Sequence, residues 1–393
     1  MKKIALLIGG GIQELDAIRD LKSSDWLVWV VDRNPSCASA PIADKLIVAD
    51  GYNAEDIIQA LVLSNVNNVK PDVVFTLTEL TTSVAIVSHA LGIHAPSIKS
   101  VAISQSKGAS KFLWIKSGVK TPAGIVLKNY SDLKKTPRFS YPCVVKPAIG
   151  AGGNGVSLVK KNSDLKKAVG LAMDISRNNV CVIEDYIEGT LVDGNGFFDR
   201  MNKFIPLSIS TRLASGQFLI DSGAVCPTSF SEDEKRKFFQ LFETACREIG
   251  LVYGPVKIDA IFDGKDFYVL EIAARFHGPR NSLHLIPMAY ERSLLKSTLG
   301  SMADARSLHW DYNNVKRASM HIDLFPKRTG IIKKLSAPAD AKNIYARFFK
   351  KDGEIILDKK KAFGHVTVSA KNLDGCRQLS DDYIKTIEVE IYK

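Results

Sequence analysis

The sequence has no Cys-x-x-Cys pair. Its six cysteines are scattered along 393 residues, at Cys37, Cys143, Cys181, Cys226, Cys246 and Cys376. This spacing indicates neither a disulfide framework nor a zinc site, so we expect reduced, partly buried thiols in a cytoplasmic protein. No apolar run approaches the roughly 20 residues that span a bilayer, which argues against a membrane partner. The first apolar run stops at Gly9-Gly10-Gly11 and predicts a buried strand rather than a signal peptide.

The sequence also lacks a nucleic-acid-binding motif, although its net charge of +11 favours anionic partners. The basic residues are spread along the chain, and the densest run, from Lys350 to Lys361, has no interleaved aromatic residues. No helix-turn-helix, zinc-finger or RNP-like pattern is present. We therefore expect no nucleic-acid partner and a basic cleft that binds small phosphorylated substrates.

The length of the chain predicts two or three domains. The first hundred residues alternate strand and helix patterns, which is typical of a parallel, doubly wound sheet. Strands are predicted at Lys3–Ile8, Trp26–Val31, Lys45–Val48 and Val73–Leu77. Helices are predicted near Gln13–Lys22, Ala54–Leu63 and Thr81–Leu91. Later segments mix helices with hairpin-like strands, so the predicted fold class is α/β together with α+β.

Three glycines, Gly9-Gly10-Gly11, close the first strand, and Asp32 ends the second. This pattern is similar to a dinucleotide-binding fingerprint, but position 14, where a third glycine is needed, holds Glu14. A nucleotide-like half fold without NAD is the better interpretation. An NAD-dependent oxidoreductase that uses the glycines and Asp32 remains an alternative at this point.

Two acids, Asp259 and Glu271, lie twelve residues apart on strand-like runs joined by a short turn. If Gly264-Lys265-Asp266 is a three-residue loop, Asp263 pairs with Phe267 and Asp259 lies opposite Glu271. Opposed carboxylates repel each other unless a cation lies between them, and hard oxygen ligands suit Mg²⁺. The hairpin predicts a metal site on the face that these acids share with other side chains: Lys257, Ala273 and Arg275.

A glycine-rich segment, Gly150–Gly155, lies between two predicted strands and begins four residues after Lys146. Its backbone N–H groups are suited to wrap phosphate oxygens, with the Lys146 ammonium directed at the same phosphates. Downstream, the apolar run Val182-Ile183 turns polar at Glu184-Asp185, and its backbone could hydrogen-bond an adenine edge. A flexible turn and a strand end explain the two segments equally well when each is taken alone.

The order and spacing of these motifs resemble the ATP-grasp superfamily, of the biotin carboxylase and carbamoyl-phosphate synthase type. The resemblance covers nearly the whole chain and implies a Rossmann-like pre-ATP-grasp domain at 1–100. It implies an ATP-grasp fold at 101–300, whose lid subdomain is at about 120–187, and a small C-terminal β-rich domain at 301–393.

The resemblance also implies roles for individual residues. Lys107 and Lys146 match the two ATP-contacting lysines, and Asp259 and Glu271 match the paired metal ligands. Arg275 matches the arginine of the Glu-x-Asn-x-Arg motif, which implies catalytic roles for Arg275 and Lys146. The implied ATP-binding set comprises Lys107, Lys146, Gly152, Gly153, Glu184, Asp185, Ile187 and Asp193.

Three positions depart from the family pattern. Ala273 replaces the usual Asn, so one ligand of a second Mg²⁺ is missing or is supplied by water. Ser106 replaces the common acidic residue before Lys107. The ribose-binding Glu expected after Gly189 is absent, and Asp193 is the candidate for its role.

The resemblance implies an ATP- and Mg²⁺-dependent carboxylate–amine ligase, with Mn²⁺ as a substitute ion, that forms an acylphosphate and releases ADP and phosphate. Family members are often dimers, which implies a homodimer. The segment Phe276–Arg280 resembles the loop that shapes the acceptor pocket in amino-acid ligases, and it favours amino-acid or small-molecule amide formation. The candidate substrate-binding residues are Glu79, Arg212, His277 and Arg280.

Other functions stay open from the sequence. A carboxylase or a nucleotide-biosynthesis enzyme acting on bicarbonate or formate belongs to the same superfamily. A non-catalytic nucleotide-binding module would bind ATP and form no ADP. The sequence identifies neither substrate.

Overall fold

The computed structural model describes residues 2–64, 70–135, 139–214 and 221–392. Its first sheet contains four strands: β1 (Lys3–Ile8), β2 (Trp26–Asp32), β3 (Lys45–Val48) and β4 (Val73–Phe75). Three helices accompany them: α1 (Leu15–Lys22), which follows a short 3₁₀ turn, α2 (Ala54–Ser64) and α3 (Thr81–Ala90). The strands are parallel in the order β3-β2-β1-β4.

Both faces of this sheet are buried. On β1, Ala5 and Leu7 pack with α1 in one core, whereas Leu6 and Ile8 pack with α2 in another. Buried strands with helices on both sides are the reason for the continuous apolar runs of the sequence. The predicted doubly wound sheet is therefore confirmed, with strand ends that differ from the prediction by at most two residues.

The glycine loop after β1 is closed by contacts of its own. The Gly10 N–H donates a hydrogen bond of 2.9 Å to Asp32 Oδ2. A Cβ on Gly10 would lie 2.8 Å from Cys37 Sγ, which is closer than atoms pack. Asp32 therefore anchors this loop, an arrangement that gives no support to the NAD alternative.

A second, antiparallel sheet contains four short strands: β5 (Gly124–Leu127), β6 (Cys143–Pro147), β7 (Ser157–Val159) and β8 (Cys181–Asp185). Helix α6 (Asn162–Ile175) covers one face of this sheet through an apolar core. Two helices, α4 (Ile98–Gln105) and α5 (Lys107–Ser117), lead into it. The glycine-rich segment lies between β6 and β7, as the sequence predicts.

The largest sheet has eight strands. They are β9 (Thr190–Phe198), β10 (Phe204–Ala214), β11 (Asp221–Cys226), β12 (Gly254–Phe262), β13 (Phe267–Ala273), β14 (Ala318–Leu324), β16 (Ile344–Phe348) and β18 (Gly364–Ala370). Their order is β13-β12-β9-β10-β11-β14-β18-β16, and neighbouring strands are antiparallel. Helix α7 (Glu232–Glu248) packs Phe238 and Phe242 against this sheet. The sheet continues across the predicted boundary near residue 300.

The remaining elements surround this sheet. A π-helical turn (Arg280–Leu285) precedes α8 (Ile286–Tyr290) and α9 (Leu294–Asp304). Three strands, β15 (Gly330–Ser336), β17 (Ile355–Ile356) and β19 (Glu388–Tyr392), form a small sheet near α10 (Leu373–Lys385). Among the described residues, no helix is long and apolar enough to cross a membrane.

Candidate active site

The hairpin β12–β13 places Asp259 directly opposite Glu271. This predicted pairing is confirmed, but the predicted three-residue loop is wrong, because Phe262 and not Asp263 pairs with Phe267. The connection is one residue longer, and a bulge between Asp259 and Ala260 restores the register. Beyond such a bulge, the side chains of the bulged strand point to the faces opposite to those that strict alternation would give.

A lysine ammonium lies between these two acids. Lys257 Nζ is 3.0 Å from Asp259 Oδ1 and 2.8 Å from Glu271 Oε1. Two further cations reach the outer oxygens: Lys107 Nζ is 2.8 Å from Glu271 Oε2, and Arg212 Nη2 is 3.1 Å from Asp259 Oδ2. Each of the four carboxylate oxygens thus faces a cationic side chain.

The charges of this group are mutually stabilised. Burial opposes ionisation of Asp259, but Lys257 and Arg212 hold the pKa of its carboxyl well below the usual range. Burial likewise opposes ionisation of Glu271, and Lys257 and Lys107 lower the pKa of that carboxyl. The pKa of Lys257 is raised, because Asp259 and Glu271 outweigh the effect of its burial. The acids are ionised and the lysine is charged at neutral pH.

A third acid, Asp193, extends the group. It lies on β9 opposite Asp259, and His277 Nε2 is 3.2 Å from Asp259 Oδ1 and 3.5 Å from Asp193 Oδ1. One ligand atom from each of these residues lies within 4.8 Å of the others. Arg212 Nη2 is 2.5 Å from Asp193 Oδ1, and a hydrogen bond from His277 helps to lower the pKa of Asp259. This position places Asp193 in the acidic group, whereas the sequence suggested a ribose contact.

The glycine-rich segment is linked to the acids by one side chain. Lys107 Nζ donates a 2.8 Å hydrogen bond to the Gly150 carbonyl and also contacts Glu271. Gly152, Gly153 and Gly155 have φ values of 65°, 70° and 76°, a conformation that favours glycine. A Cβ on Gly153 would meet no atom within 4 Å, so the tip of the loop is open on its outer side. The loop and the acids therefore belong to one site.

Lys146 on β6 and Glu184 on β8 form a buried ion pair. Lys146 Nζ is 2.5 Å from Glu184 Oε1, and Lys111 Nζ is 2.9 Å from Oε2. Burial would raise the pKa of Glu184, but Lys146 and Lys111 lower it. Sequence reasoning missed Lys111, although it lies one helical turn after Lys107 on α5. The hinge roles of Asp185, which is exposed, and of half-buried Ile187 remain predictions.

Two predicted substrate residues and the predicted catalytic arginine take part in ion pairs. Glu79, at the carboxyl end of β4, pairs with Arg275, whose Nη1 also donates to the Phe276 carbonyl. Arg280 pairs with Asp323, a carboxyl whose pKa is raised by burial. The structure thus brings Glu79 to Arg275, just beyond the hairpin β12–β13, and it pairs Arg280 with Asp323 on β14.

A polar band crosses the whole eight-stranded sheet on one face. Cross-strand partners and alternate residues place eight side chains on that face: Glu271, Asp259, Asp193, Arg212, Ala224, His321, Thr367 and Tyr345. Burial lowers the pKa of His321 to about 3 and that of His365 to about 2, so both imidazoles are neutral. Their ring nitrogens have no hydrogen-bond partner among the described residues. The pattern Ser319-x-His321-x-Asp323 was a signal that sequence reasoning missed.

The lowered acid pKa values predict a specific pH dependence of stability. A carboxyl whose folded pKa is below its unfolded value stabilises the fold above the unfolded pKa. That contribution is lost as the pH falls below about 4, the unfolded value for Asp and Glu. Denaturant midpoints should begin to fall below about pH 6.5, because the unfolded chain binds protons at His321 and His365 that the folded chain does not. The acids should add a further, steeper fall between pH 4 and 3. Glu271→Gln should weaken this fall, and Glu188→Gln, a change at an exposed acid, should leave it unaltered. Identical profiles for wild type and Glu271→Gln would contradict the prediction.

Comparison with known proteins gives this site a family context. Residues 109–279 match the ATP-grasp domain family. A D-alanine–D-alanine ligase from Buchnera aphidicola is 27% identical over 200 residues, which are 44% of this chain and 60% of that protein. The chain therefore spans less than two thirds of that relative.

Two solved structures share the fold. An L-amino acid ligase from Bacillus licheniformis superimposes with a TM-score of 0.82 at 17% identity, over 100% of this chain and 99% of the other. The biotin carboxylase domain dimer of a 2-oxoglutarate carboxylase from Hydrogenobacter thermophilus, in complex with MgADP, ADP and bicarbonate, gives a TM-score of 0.79 at 18% identity. It covers 100% of this chain and 92% of that domain.

Proposed function

This chain contains an ATP-grasp domain, and from that premise we propose that it is an ATP-dependent carboxylate–amine ligase. ATP would phosphorylate a carboxylate to an acylphosphate, an amine would displace the phosphate, and ADP and phosphate would be released. The observation that carries the proposal is one charged group: Lys257, Lys107 and Arg212 surround Asp259 and Glu271 beneath the glycine loop.

Electrostatics makes this arrangement suitable for the reaction. The γ-phosphoryl group and a carboxylate are both anionic and repel each other on approach, so the site must supply positive charge around them. Lys107 donates to the Gly150 carbonyl at the base of the glycine loop, Lys146 lies on the strand that leads into that loop, and Arg275 follows the acidic hairpin. Each of these cations can leave its present carboxylate partner for a phosphate oxygen.

The acids fit a divalent cation as well as ammonium groups. Asp259 and Glu271 are the predicted ligands, and Asp193 and His277 offer two further ligand atoms close to Asp259. Such an ion, when bound, would supply positive charge that neutralises the transferred phosphoryl group. The flexible glycines would close over the phosphates and exclude the water that hydrolyses acylphosphates.

The substrates that suit the site are small, polar and zwitterionic, as amino acids are. Glu79 offers a carboxylate to an amino group, and Arg280 offers a guanidinium to a carboxylate. The polar band continues from the acids to His321 and His365, whose neutral rings can both donate and accept hydrogen bonds. Such groups favour amino-acid or related substrates over bicarbonate or formate, which are small ions that need few side chains to bind them.

A phosphate-release screen tests the proposal. The protein is incubated with ATP, Mg²⁺ or Mn²⁺, and pairs drawn from amino acids and other carboxylic acids, with bicarbonate and formate included. We expect ADP and phosphate to form in equal amounts with at least one pair, together with an amide product detectable by mass spectrometry. ADP formation with bicarbonate or formate alone would favour a carboxylase-type activity instead. ATP binding without ADP under every condition would identify a nucleotide-binding module.

A further inference from the structure

Four buried polar residues form a square on one face of β14 and β18, which we call the β14–β18 patch: His321, Asp323, His365 and Thr367. His321 lies directly opposite Thr367, and Asp323 lies directly opposite His365. Opposed residues and alternate residues of one strand share a face of a sheet. The intervening residues of both strands pack in the apolar core with α10, so the patch faces the same side as the acids.

Each member of the patch has a polar atom without a partner. Both ring nitrogens of His321 and His365, Asp323 Oδ1 and Thr367 Oγ1 make no hydrogen bond within the described part of the chain. Asp323 Oδ2, by contrast, pairs with Arg280. His321 is 4% exposed and His365 is 3% exposed, so bulk water does not satisfy their rings. Buried polar atoms are normally satisfied, and six unsatisfied atoms on one square of the sheet point to a ligand.

The geometry of the patch does not suit a metal ion. In the described ranges, one group of three His, Cys, Asp or Glu side chains has its ligand atoms within 4.8 Å of one another, and that group is Asp193, Asp259 and His277. The patch therefore suits a ligand that forms hydrogen bonds.

Burial opposes charge of either sign in the patch. It lowers the pKa of His321 to about 3 and that of His365 to about 2, so positive charge on the rings is disfavoured. It raises the pKa of Asp323, so negative charge is disfavoured as well. An ionised ligand group would meet the same penalty. Each neutral imidazole has one donor and one acceptor, and the Thr367 hydroxyl is both, so the matching group is uncharged and both donates and accepts.

The segment Phe276–Arg280 connects the patch with the acids. His277 Nε2 is 3.2 Å from Asp259 Oδ1, and Arg280 pairs with Asp323 in the patch. The Cα atoms of residues three positions apart are separated by at most about 11 Å, so one small molecule can contact both ends of the segment. The Arg280 guanidinium has five N–H donors, and it can bind a substrate carboxylate while it keeps Asp323.

We propose that the β14–β18 patch binds the side chain of the amine-bearing substrate and that it selects an amino acid with a carboxamide side chain, such as glutamine. This inference rests on the proposed function, because it names the substrate class of the same ligase site. A primary carboxamide has two N–H donors and a carbonyl oxygen that accepts two hydrogen bonds, so it can satisfy both imidazoles. The α-carboxylate of this substrate pairs with Arg280, and its amino group faces His277 and the acids.

Three amino acids of similar length test the selection: L-glutamine, L-glutamate and L-methionine. Each is supplied with ATP, Mg²⁺ and the carboxylic acids of the phosphate-release screen. We expect kcat/KM for ADP formation to be at least about tenfold higher with glutamine, because the other two side chains leave buried polar groups unpaired or bring a charge. In His321→Leu the preference for glutamine over methionine should fall at least about tenfold. His309→Leu, a change at an exposed histidine outside the patch, should keep the preference.

The stability of His321→Leu distinguishes a binding role from a structural one. Since the ring nitrogens of His321 have no partner among the described residues, an apolar side chain of similar size removes polar atoms whose burial is costly. We therefore expect His321→Leu to melt at the same temperature as wild type or higher. A melting temperature lower by several degrees would show that the ring stabilises the fold, and it would overturn the inference.

Binding to the wild-type chain is measured without turnover by nuclear magnetic resonance of ¹⁵N-labelled histidine rings. The signals of His321 and His365 are those of rings that stay neutral at pH 5, and the His321→Leu spectrum lacks the first of them. L-glutamine should shift both signals, whereas L-glutamate and L-methionine at the same concentration should not. Rings that glutamine leaves unmoved would mean that the patch holds ordered water only, and the inference would fail.

This inference and the proposed function fail by different results. ADP formation with amino acids but without a preference for glutamine would refute the role of the patch and leave the ligase function intact. Absence of ADP with every pair would refute the ligase function, and the glutamine titration would then decide whether the patch binds a carboxamide. If His321→Leu does not fold by circular dichroism, the wild-type substrate preference and the wild-type titration decide the matter.

Discussion

Replacing Lys146 with Met should reduce ADP formation at saturating ATP by about 100- to 1000-fold, the usual effect of removing one preorganised charge from a transition state. The Lys146 ammonium lies at the end of the strand that leads into the glycine loop and can reach the same phosphates. No other described lysine on β6 or β7 can replace it. Coupled measurement of ADP, with the substrate pair found in the screen, gives the rate.

The choice of Met limits the structural damage. Removing one partner of a buried ion pair leaves the other charge uncompensated, which is costly. Glu184 keeps Lys111 at 2.9 Å, however, and the methionine side chain retains most of the apolar contacts of the lysine stem. We expect the variant to stay folded, with a small decrease in melting temperature.

Lys128→Met is the matched control. Lys128 follows β5 of the same sheet and is exposed, so its loss should leave the rate within about twofold of wild type. A Lys146→Met variant that remains folded and turns over ATP at a near-normal rate would remove Lys146 from the phosphate site. The motif resemblance would then have assigned the wrong lysine.

The sequence predicted local features better than their assembly. The four parallel strands were located from apolar runs and glycines, because such strands are buried on both faces and carry a strong signal. The pairing of Asp259 with Glu271 was also predicted, but through a loop that is one residue too short. The bulge that corrects the register depends on tertiary packing and has no signature in the sequence.

The need for a cation between Asp259 and Glu271 was predicted from the sequence, but Lys257 was not predicted to supply it. Opposed carboxylates need a cation between them, and their oxygen ligands predicted Mg²⁺. Lys257 had been placed on the same face, and in the structure its ammonium fills that position. Asp193 could not be added from sequence, because the pairing of β9 with β12 joins residues 66 positions apart. Long-range register of this kind follows from the packing of whole elements.

The polar band could be predicted from the sequence only in part. Strands β14 and β18 alternate polar and apolar residues, with polar side chains that are buried. Alternation usually predicts a solvent-exposed polar face, and the expectation fails here because the π-helical turn covers that face. Asn281 on this turn donates a hydrogen bond to Ser210 on β10 of this sheet.

Replacing Asp16 with Ala should lower the free energy of unfolding by about 2–3 kcal/mol, toward the lower end of the cost of breaking a buried ion pair, because this carboxyl is partly solvated. Asp16 on α1 accepts hydrogen bonds of 2.6 Å and 2.8 Å from Arg347 on β16 and a further bond from Tyr345. Burial raises the pKa of Asp16, but His284, Tyr345 and Arg347 lower it, so the group is ionised at neutral pH.

This contact joins residues that are 331 positions apart, and its loss should loosen α1 from β16, an edge strand of the large sheet. Scanning calorimetry should show a melting temperature lower by several degrees, on the order of 5 °C. Asp374→Ala is the control: its ion pair with Arg377 is exposed and lies within one helical turn, so its effect should stay below about 0.5 kcal/mol.

A double-mutant cycle separates the ion pair from general damage to the helix. Arg347→Met alone leaves the Asp16 carboxylate without its guanidinium partner, and the Asp16→Ala, Arg347→Met double variant leaves neither charge unpaired. The double variant should therefore be less destabilised than the sum of the single variants by about 1 kcal/mol or more. Strict additivity would mean that Asp16 and Arg347 contribute independently, and Asp16 would then hold the first helix in place through Tyr345 and His284 instead.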